Sequence, residues 1–247
     1  MASVLLVGFA SDIEASLSRA LRAQGHTIQA AQTASTALRI VREATPVLIL
    51  IHAELQPDAG VSTPHDGFEL CGAIRALPDG HKSMIIFINH QDTLANKLSS
   101  FIVGADDYLA IPFQMAELIL RIDALLRRSA LGVAPSAVTS SWLRFGPLAL
   151  DQTTGDVWIA DRHEQLTPME TRLLRYLIAN PGRPCSAEDL LRHVWRQDPG
   201  TGDPVLVRVH MRHLRAKLET DPAAPKLLKT NRRLGYYLAQ DEINEST

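Results

Sequence analysis

Short apolar runs alternate with helical spacing of apolar residues through the first half of the chain. The runs typical of strands lie at residues 4–7, 27–31, 47–51, 84–88 and 107–110. Helices are predicted near residues 13–24, 33–43, 67–77, 93–103 and 114–128. In the last of these, Leu118, Ile122 and Leu125 recur with the spacing of one buried helix face. Five strand–helix units in this order predict a parallel sheet covered by helices.

The second half has shorter strands and a different order of elements. Strands are predicted at residues 143–145, 148–151, 156–159 and 165–166. Thr167, Pro168 and Glu170 form a capping box with proline at the first helical position, so we expect a helix to begin there. Further elements are predicted as helices at residues 186–195 and 203–218 and a hairpin at residues 226–239. This order of elements predicts an α+β domain.

A small, polar segment punctuated by proline and glycine, residues 129–141, separates the two patterns and predicts a linker. The 247 residues therefore divide into a domain over residues 1–128, a domain over residues 142–240 and a tail at residues 241–247. A hydrophobic fraction of 46% argues against disorder. Because no apolar run approaches the roughly 20 residues of a membrane span, we expect a cytoplasmic protein that does not contact a membrane.

The net charge of −2 conceals an uneven distribution along the chain. Residues 1–128 hold 10 basic and 13 acidic residues, whereas residues 205–238 hold eight basic residues and two acidic ones. Such a positive field favours a polyanion, although solvated basic helices are also common. Cys71 and Cys185 show neither a disulfide framework nor a metal-ligand spacing, so we expect free thiols and no metal or cofactor.

The basic helix, residues 205–218, separates into two faces when it is projected at about 100° per residue. The face predicted to pack into the core holds Val207, Met211, Leu214 and Leu218. The face predicted to point away from the core holds Arg208, Val209, Arg212, His213 and Ala216, with Arg215 and Lys217 at its edges. Cations around small residues suit a major groove, because Arg or His can donate to guanine while the edge cations reach phosphates.

The sequence motifs of both halves resemble OmpR/PhoB-type response regulators. In the second half these are LTPMETRLLRYLIANPGRPCSAEDLLRHVW, VRVHMRHLRAKLE and LLKTNRRLGYYL, which are similar to a winged helix-turn-helix domain. In the first half they are DGFELCGAIR and GADDYLAIPF, which are similar to a receiver domain. The resemblance implies a flavodoxin-like (βα)5 receiver followed by an α+β winged helix. It also implies a sequence-specific transcription regulator rather than an enzyme, with double-stranded DNA and RNA polymerase as partners.

The resemblance assigns DNA contacts to individual positions. The third helix of the second domain would enter the major groove, while the hairpin would act as a wing on the minor groove or the backbone. The wing residues that match contact positions are Thr230, Arg232 and Arg233, and the backbone-contacting positions are Trp195, His210 and Tyr236.

Three positions depart from the family pattern. Arg208 stands where the family usually has Asp, and His213 stands where Arg is common. Arg233 and Leu234 replace a pair of small residues. We therefore expect DNA binding at a base sequence that differs from the family's common sites.

The receiver-like half lacks the residues that carry phosphoryl transfer in working receivers. Those receivers use an acidic pair for Mg²⁺, an Asp acceptor, a Thr or Ser and a Lys, because Mg²⁺ needs carboxylate oxygens and the phosphoryl group needs a cation. The matching positions here are Gly8, Phe9, His52 (or Ala53 in another alignment), Asn89 and Ile111. We therefore expect an atypical receiver that works independently of Asp phosphorylation.

Other candidates for the lost chemistry are weaker. Asp12 is interpreted as a helix N-cap, while Asp58 and Asp66 lie too far along the following loop to replace the acceptor. His52 could carry a phosphoryl group or bind a metal together with His90, but a packed structural histidine is favoured.

The loop at residues 53–66 is long, since His52 and Gly67 are 15 positions apart. This is roughly seven more than usual in the family, and loops after strands are generally short. The loop is either a tolerated surface insertion or a contact surface for a protein or ligand that replaces phosphate as the input.

The resemblance also predicts a homodimer through the fourth helix, fifth strand and fifth helix, bound to direct-repeat half-sites. The residues expected at this dimer interface are Lys97, Ile102, Asp106, Asp107, Glu117, Arg121 and Asp123. Tyr108 matches the aromatic that switches in working receivers, and it is expected to keep one rotamer here.

Three hypotheses of function remain at this point. The leading one is a DNA-binding regulator with a phosphorylation-independent receiver. The second is an interaction adaptor that acts mainly through protein partners, and the third is an active phosphoacceptor or phosphotransfer enzyme. Arg208, Arg212 and His213 favour the first hypothesis over the second, while Gly8 and Ile111 disfavour the third.

Overall fold

The chain folds into two units, Met1–Arg127 and Arg128–Thr247. The computed structural model describes residues 1–58, 64–126, 142–198, 200 and 202–239. The predicted linker at 129–141, the tail at 241–247 and the middle of the long loop at 59–63 lie outside the described residues. In the described part of the chain, no helix is long and apolar enough to cross a membrane.

A five-stranded parallel sheet forms the centre of the N-terminal unit. Its strands are β1 (Ser3–Val7), β2 (Thr27–Ala31), β3 (Leu48–His52), β4 (Met84–Asn89) and β5 (Asp107–Ala110). Their order across the sheet is β2-β1-β3-β4-β5, with every neighbouring pair parallel. Every residue of β3 and β4 is buried, as expected for parallel strands covered on both faces. The order reverses at β1 and β3, which is where sheets of this type bind ligands.

In the described part of this unit, five α-helices accompany the sheet, besides a short 3-10 helix at Gly80–Lys82. They are α1 (Ser11–Ala23), α2 (Ala34–Ala44), α3 (Gly67–Arg75), α4 (Leu94–Ile102) and α5 (Met115–Leu126). Short polar side chains begin three of them, because Thr33, Asp66 and Thr93 each accept a hydrogen bond from a backbone N–H in the first turn. These local signals place each helix start close to the position that the periodicity predicts.

The C-terminal unit begins with a four-stranded antiparallel sheet and continues with helices and a hairpin. The strands are β6 (Trp142–Phe145), β7 (Leu148–Asp151), β8 (Asp156–Ile159) and β9 (Arg162–Gln165), paired in chain order. The helices are α6 (Pro168–Ala179), α7 (Ala187–Leu190), which continues as a wider turn over Leu191–Trp195, and α8 (Pro204–Leu218). The wing is the hairpin of β10 (Leu228–Asn231) and β11 (Gly235–Leu238) with its tip, residues 232–234.

The predicted fold class is confirmed. The strands of the first sheet agree with the predicted bounds to within one residue, and the capping box forms as predicted. Thr167 accepts from the Glu170 N–H at 3.4 Å, and the Glu170 carboxylate accepts from the Thr167 N–H at 2.8 Å. The strand predicted at 165–166 is wrong, because the structure has β9 at Arg162–Gln165. Its polar sequence carries no alternating pattern, and backbone pairing with β8 defines it.

Candidate functional site

The carboxyl ends of β1, β3, β4 and β5 meet along one edge of the N-terminal sheet, here named the carboxyl edge. The structure places Phe9, His52 and Asn89 there as buried side chains. The His52 ring lies between two aromatic neighbours, with centroid distances of 5.7 Å to Phe9 and 5.3 Å to His90. The Ile111 N–H donates to the Asn89 carbonyl at 2.8 Å. This bond places Ile111 at the same edge. The buried side chains of Phe9, His52 and Asn89 therefore occupy this edge.

Local bonds hold His52 in place. Its Nδ1 accepts from the Glu54 N–H at 3.2 Å and lies 3.1 Å from the Glu54 carbonyl oxygen. The Asn89 side-chain oxygen accepts from the Gln91 N–H at 3.3 Å, so this side chain is also engaged by its own loop. Both groups stabilise the chain that follows their strands, as expected for packed structural side chains.

Gly8 shows why a side chain does not fit at this position. Its φ is +80°, a conformation that favours glycine. A Cβ atom at this position would lie 2.9 Å from the Glu54 carbonyl oxygen and 2.6 Å from Leu55 Cδ2. The long loop therefore packs against the backbone at the position where working receivers carry a metal-binding acid.

The nearby carboxylates serve other purposes. Asp58 accepts from the Ser35 N–H at 3.0 Å and the Ser35 hydroxyl at 2.8 Å, which ties the long loop to the start of α2. Asp66 caps α3 by accepting from the Glu69 N–H at 2.8 Å. The interpretation of Asp12 as an N-cap is wrong, since Ala10 is the N-cap of α1 and Asp12 lies in the first turn. Within the described ranges, no group of three His, Cys, Asp or Glu side chains could hold a metal ion.

Tyr108 on β5 points into the protein. Its hydroxyl donates to the Gln91 carbonyl at 2.7 Å, and its ring packs near Phe87 and Phe101. Burial, assisted by the charge of Asp92, raises the pKa of the Tyr108 phenol to about 12. The structure therefore shows Tyr108 in an inward orientation, and the expectation that it keeps one rotamer stays a prediction.

The surface of α4, β5 and α5 has fewer free charges than the sequence predicts. The expectation that Asp106 lies at a dimer interface is wrong, because its carboxylate is fully buried and accepts from Arg75 at 2.7 Å and from the Ile85 N–H at 2.8 Å. Asp107 is also buried and accepts from Arg121 at 3.1 Å, and Arg121 in turn bonds Glu117 at 3.0 Å. These charges are paired within the chain.

Exposed apolar side chains also lie on this surface. Lys97 pairs with Asp92 at 2.7 Å, and Asp123 on α5 is half-buried. Ile102 is 50% exposed, and two further exposed apolar side chains, Leu94 on α4 and Leu120 on α5, lie on the same two helices. We name these three apolar residues the α4–α5 patch.

On α8 the exposed stripe is narrower than predicted. Arg208, Arg212 and Ala216 are exposed at a spacing of four residues, and His213 is half-buried beside them. The expectation that Val209 faces away from the core is wrong, because its side chain is only 7% exposed. The buried side of α8 covers more than half of its circumference, since it contacts α6, α7 and other elements of its unit. Two exposed arginines therefore define the outward face.

The two edge cations of α8 bind within the protein. Arg215 donates from Nε and Nη2 to the Leu228 carbonyl at 2.9 and 2.7 Å, and from Nη2 to the Thr230 hydroxyl at 2.7 Å. Lys217 donates to the Gln165 carbonyl at 2.9 Å and pairs with Glu170 at 2.6 Å. Arg215 thus connects α8 to the wing and Lys217 connects it to α6, which differs from the predicted phosphate contacts.

The Glu170 carboxylate contacts Lys217, the Thr167 N–H and the neighbourhood of His213. Its burial opposes the charged form, but Lys217 and the Thr167 N–H outweigh that penalty, so the pKa of Glu170 lies below its ordinary value. His213 Nδ1 lies 3.9 Å from the same carboxylate. A buried anion therefore anchors the C-terminal half of α8 beneath its exposed face.

The other residues predicted to contact DNA differ in how far they are buried. Trp195 and His210 are both buried, with ring centroids 5.2 Å apart, so in this unit they belong to the core rather than to an exposed surface. Their predicted contact with the DNA backbone stays a prediction. Tyr236 is half-buried; burial raises the pKa of its phenol, and the charges of Arg208 and Arg215 partly offset that rise. Its backbone pairs with Cys185.

The wing tip carries exposed cations and one exposed leucine. Arg232, Arg233 and Leu234 are all exposed, as are Thr230 and Asn231 at the end of β10. The Asn231 side-chain oxygen accepts from the Arg233 N–H at 3.0 Å and from the Leu234 N–H at 3.1 Å. The sequence interpretation missed Asn231, although Asn at the start of a turn is a known signal for this arrangement.

Comparison with known proteins identifies both units. Residues 4–123 match the response regulator receiver domain family, and residues 161–238 match the family described as "Transcriptional regulatory protein, C terminal". The chain is 36% identical over 238 residues to the transcriptional regulatory protein AfsQ1 of Streptomyces coelicolor, which covers 96% of this chain and 98% of that protein. The chain belongs to the OmpR/PhoB-type response regulators.

Other comparisons agree with this assignment. The response regulator MprA of Mycolicibacterium vanbaalenii is 32% identical over 238 residues, which covers 96% of this chain and 97% of that protein. A solved structure of a RitR mutant matches with a TM-score of 0.73 at 21% identity, covering 96% of this chain and 99% of that one, and supports the fold alone. This OmpR/PhoB-type regulator therefore combines a receiver domain with a DNA-binding effector domain.

Proposed function

We propose that this OmpR/PhoB-type regulator controls transcription by binding DNA without a switch based on Asp phosphorylation. The observation that carries the proposal is the filled carboxyl edge, where Phe9, His52 and Asn89 are buried at the positions of phosphoryl-transfer chemistry. An octahedral Mg²⁺ site needs oxygen ligands, and a phosphoryl group needs a cation close to its oxygens. The side chains of Gly8 and Phe9 supply no such oxygen, and the side chain of Ile111 supplies no cation.

The loop contacts add a second argument for this proposal. Asp58 ties the long loop to α2, while the carbonyl of Glu54 and the side chain of Leu55 lie against Gly8. The loop therefore occupies space above β1 and β3, at the edge where a phosphoryl group and its metal would bind. The loop at residues 53–66 is our candidate for a protein or ligand input in place of phosphate.

The exposed arginines of α8 are the proposed readers of base sequence. Arg208 and Arg212 lie one turn apart on the outward face, a spacing that lets both reach base edges in one major groove. Arg215 and Lys217 hold α8 against the wing and α6, so they position the reading face instead of contacting phosphates. Arg232 and Arg233 on the wing tip supply phosphate contacts.

The proposed assembly is a homodimer through α4, β5 and α5 that binds direct-repeat half-sites. Because the charges of Asp107, Arg121 and Lys97 are paired within the chain, we expect the α4–α5 patch to contribute most of the dimer energy. Ile102→Asp should convert the dimer to monomer in sedimentation, whereas high salt should change dimerisation little. A monomeric wild-type protein at micromolar concentration would contradict this part of the proposal.

The remaining elements of the proposed function follow from the family. We propose a binding protein rather than an enzyme, located at the cytoplasmic nucleoid and acting on RNA polymerase. The domain bounds at residues 1–128 and 142–240, with a linker between them, belong to the same proposal. The alternative is an interaction adaptor with weak DNA contacts.

Binding to DNA duplexes by full-length protein separates these alternatives. Arg212→Ala should weaken binding to a duplex selected from a randomised pool by about 10- to 100-fold, since one arginine contact to a base is worth about 1–3 kcal/mol. Arg144→Ala, which removes an exposed arginine of β6, is the matched control and should leave binding unchanged. Equal, weak binding by both variants and the wild type would favour the adaptor.

A further inference from the structure

His213 lies beside the exposed stripe of α8, next to the two arginines that are proposed to read bases. Its side chain is 23% exposed, directly after exposed Arg212 and three residues before exposed Ala216. Residues three positions apart are neighbours on one helix face, so the small Ala216 side chain flanks the imidazole there. A groove that receives Arg208 and Arg212 would therefore also contact the His213 ring.

A buried carboxylate faces one nitrogen of this ring. Oε1 of Glu170 lies 3.9 Å from His213 Nδ1, while Oε2 accepts from Lys217 Nζ at 2.6 Å and from the Thr167 N–H at 2.8 Å. Burial opposes the charged form, but Lys217 holds the pKa of Glu170 below its ordinary value, so the carboxylate is an anion near neutral pH. An anion on this side of the ring favours a proton on Nδ1.

A proton on Nδ1 determines what the other ring nitrogen can do. In the neutral ring it leaves Nε2 as an acceptor, whereas in the charged ring both nitrogens donate. Guanine presents two acceptors in the major groove, while adenine and cytosine each present an amino donor. Neutral His213 therefore suits adenine or cytosine, and charged His213 suits guanine.

The charges around His213 determine when its ring is protonated. On α8 the neighbouring cations are Arg212 and Lys217, and the ring centroid of His210 lies 6.1 Å from that of His213. Across from α8, Glu170 on α6 supplies the opposite charge. In the unbound protein the cations oppose a further positive charge and Glu170 favours it. DNA adds anionic phosphates, which shift the balance toward the charged ring.

We propose that His213 is a protonation-dependent base-reading residue, whose charged ring donates from Nε2 to guanine while Nδ1 faces Glu170. The inference rests on the proposed DNA binding by α8 and adds a dependence on pH to it. Because DNA stabilises the charged ring, binding takes up a proton at this residue. The affinity is therefore greatest at acidic pH and falls as the pH rises through the range in which the bound histidine loses its proton.

The first test measures the dissociation constant of full-length protein at constant ionic strength, on a duplex selected from a randomised pool at acidic pH. Between about pH 6 and about pH 8 the wild type should lose about three- to tenfold in affinity, because a charge-assisted hydrogen bond is roughly twice as strong as a neutral one. His213→Gln should bind weakly at both values. His213→Arg should bind tightly at both, since a guanidinium keeps its charge. His163→Gln, which removes an exposed histidine of β9, is the matched control and should keep the wild-type profile.

The second test repeats the selection of duplexes at the two pH values. One position of the selected site should be guanine at acidic pH and should shift toward adenine or cytosine at alkaline pH, because Nε2 changes from donor to acceptor. The same position should stay guanine for His213→Arg at both values.

Two results would overturn the inference. One is a His213→Gln variant whose affinity changes with pH as much as that of the wild type, and the other is a wild type that selects the same bases at both pH values. In either case, weaker binding by Arg212→Ala would leave the proposed function standing. If the wild type bound no duplex at either pH, the proposed function and this inference would fail together.

Discussion

The carboxyl edge of the receiver domain buries its side chains, whereas the outward face of α8 exposes its cations. At the carboxyl edge, Phe9 and His52 are buried, and the nearby Asp58 and Asp66 hold loops and helix ends. On α8, two arginines remain exposed while buried groups such as Glu170 support the helix from below. Two domains of one chain thus carry a closed site and an open one.

Under the proposed function, the two sites differ in what each chemistry requires. A phosphoryl-transfer site needs several oxygen and nitrogen ligands in one place, so replacing them with packing side chains removes the chemistry while preserving the fold. A DNA-reading surface needs exposed cations on a rigid support. The internal bonds of Arg215 and Lys217 provide that support.

The largest expected effect comes from removing the support of the open site. Lys217→Met leaves Glu170 buried without its cation and should lower the free energy of unfolding by about 3 kcal/mol. Lys226→Met, an exposed lysine ahead of the wing, is the matched control and should stay within about 0.5 kcal/mol of the wild type. Tryptophan fluorescence in denaturant reports this domain, because Trp142, Trp158 and Trp195 all lie in it. If both variants lost the same free energy of unfolding, Glu170 would not anchor α8.

The same pair has a defined dependence on pH. The folded pKa of Glu170 lies below its ordinary value of 4.5, so its contribution to stability is fully present above pH 4.5 and is lost as the pH falls through the folded value. In Lys217→Met burial acts without the opposing cation, and the pKa of Glu170 should rise. The stability difference between the wild type and this variant should therefore narrow on acidification. A difference that widens at acidic pH would contradict this linkage.

A smaller effect probes the closed site. Gly8 and Gly25 have nearly the same φ, +80° and +82°, but only Gly8 has neighbours within 4 Å of a Cβ position. Changing either residue to Ala costs about 1–2 kcal/mol for the backbone conformation. Gly8→Ala should cost at least about 1 kcal/mol more, because Glu54 and Leu55 must shift. Unfolding followed by circular dichroism measures both, and equal losses would mean that the loop does not close the edge.

The smallest effect concerns the aromatic that switches in working receivers. Tyr108→Phe removes a buried hydrogen bond to the Gln91 carbonyl and should cost about 1 kcal/mol of stability. Because its folded pKa is raised from 10.0 to about 12, this contribution is complete below pH 10.0 and is lost as the pH rises toward 12. DNA affinity should not change, since the proposed receiver has no phosphorylation switch for this side chain to transmit. A changed affinity would indicate that Tyr108 still transmits a signal.

Most of the architecture was predictable from the sequence because apolar spacing and helix caps are local signals. The buried runs of β3 and β4 and the capping box at Thr167 give examples, since each depends on adjacent residues. The polar strand β9 was predicted at residues 165–166 and lies at Arg162–Gln165, because backbone pairing with β8 defines it.

The candidate sites were less predictable because they depend on contacts between distant residues. Projection of a single helix placed Val209 outside, yet neighbouring elements bury it. Charge alone assigned Lys217 to phosphates, whereas Glu170, 47 residues away along the chain, binds it. Asp106 likewise pairs with Arg75 beneath the surface. Sequence patterns identified the residue types at each site, and tertiary packing determined which of them remain exposed.

Independence from phosphorylation is tested most directly by measuring DNA affinity with and without a phosphoryl analogue. The dissociation constant of the full-length protein for a selected duplex would be compared in Mg²⁺ alone and in Mg²⁺ with beryllofluoride. Intact mass would be recorded after treatment with acetyl phosphate. The filled carboxyl edge predicts the same dissociation constant and an unchanged mass. Tighter binding that requires beryllofluoride, or a phosphoryl adduct at His52, would contradict it.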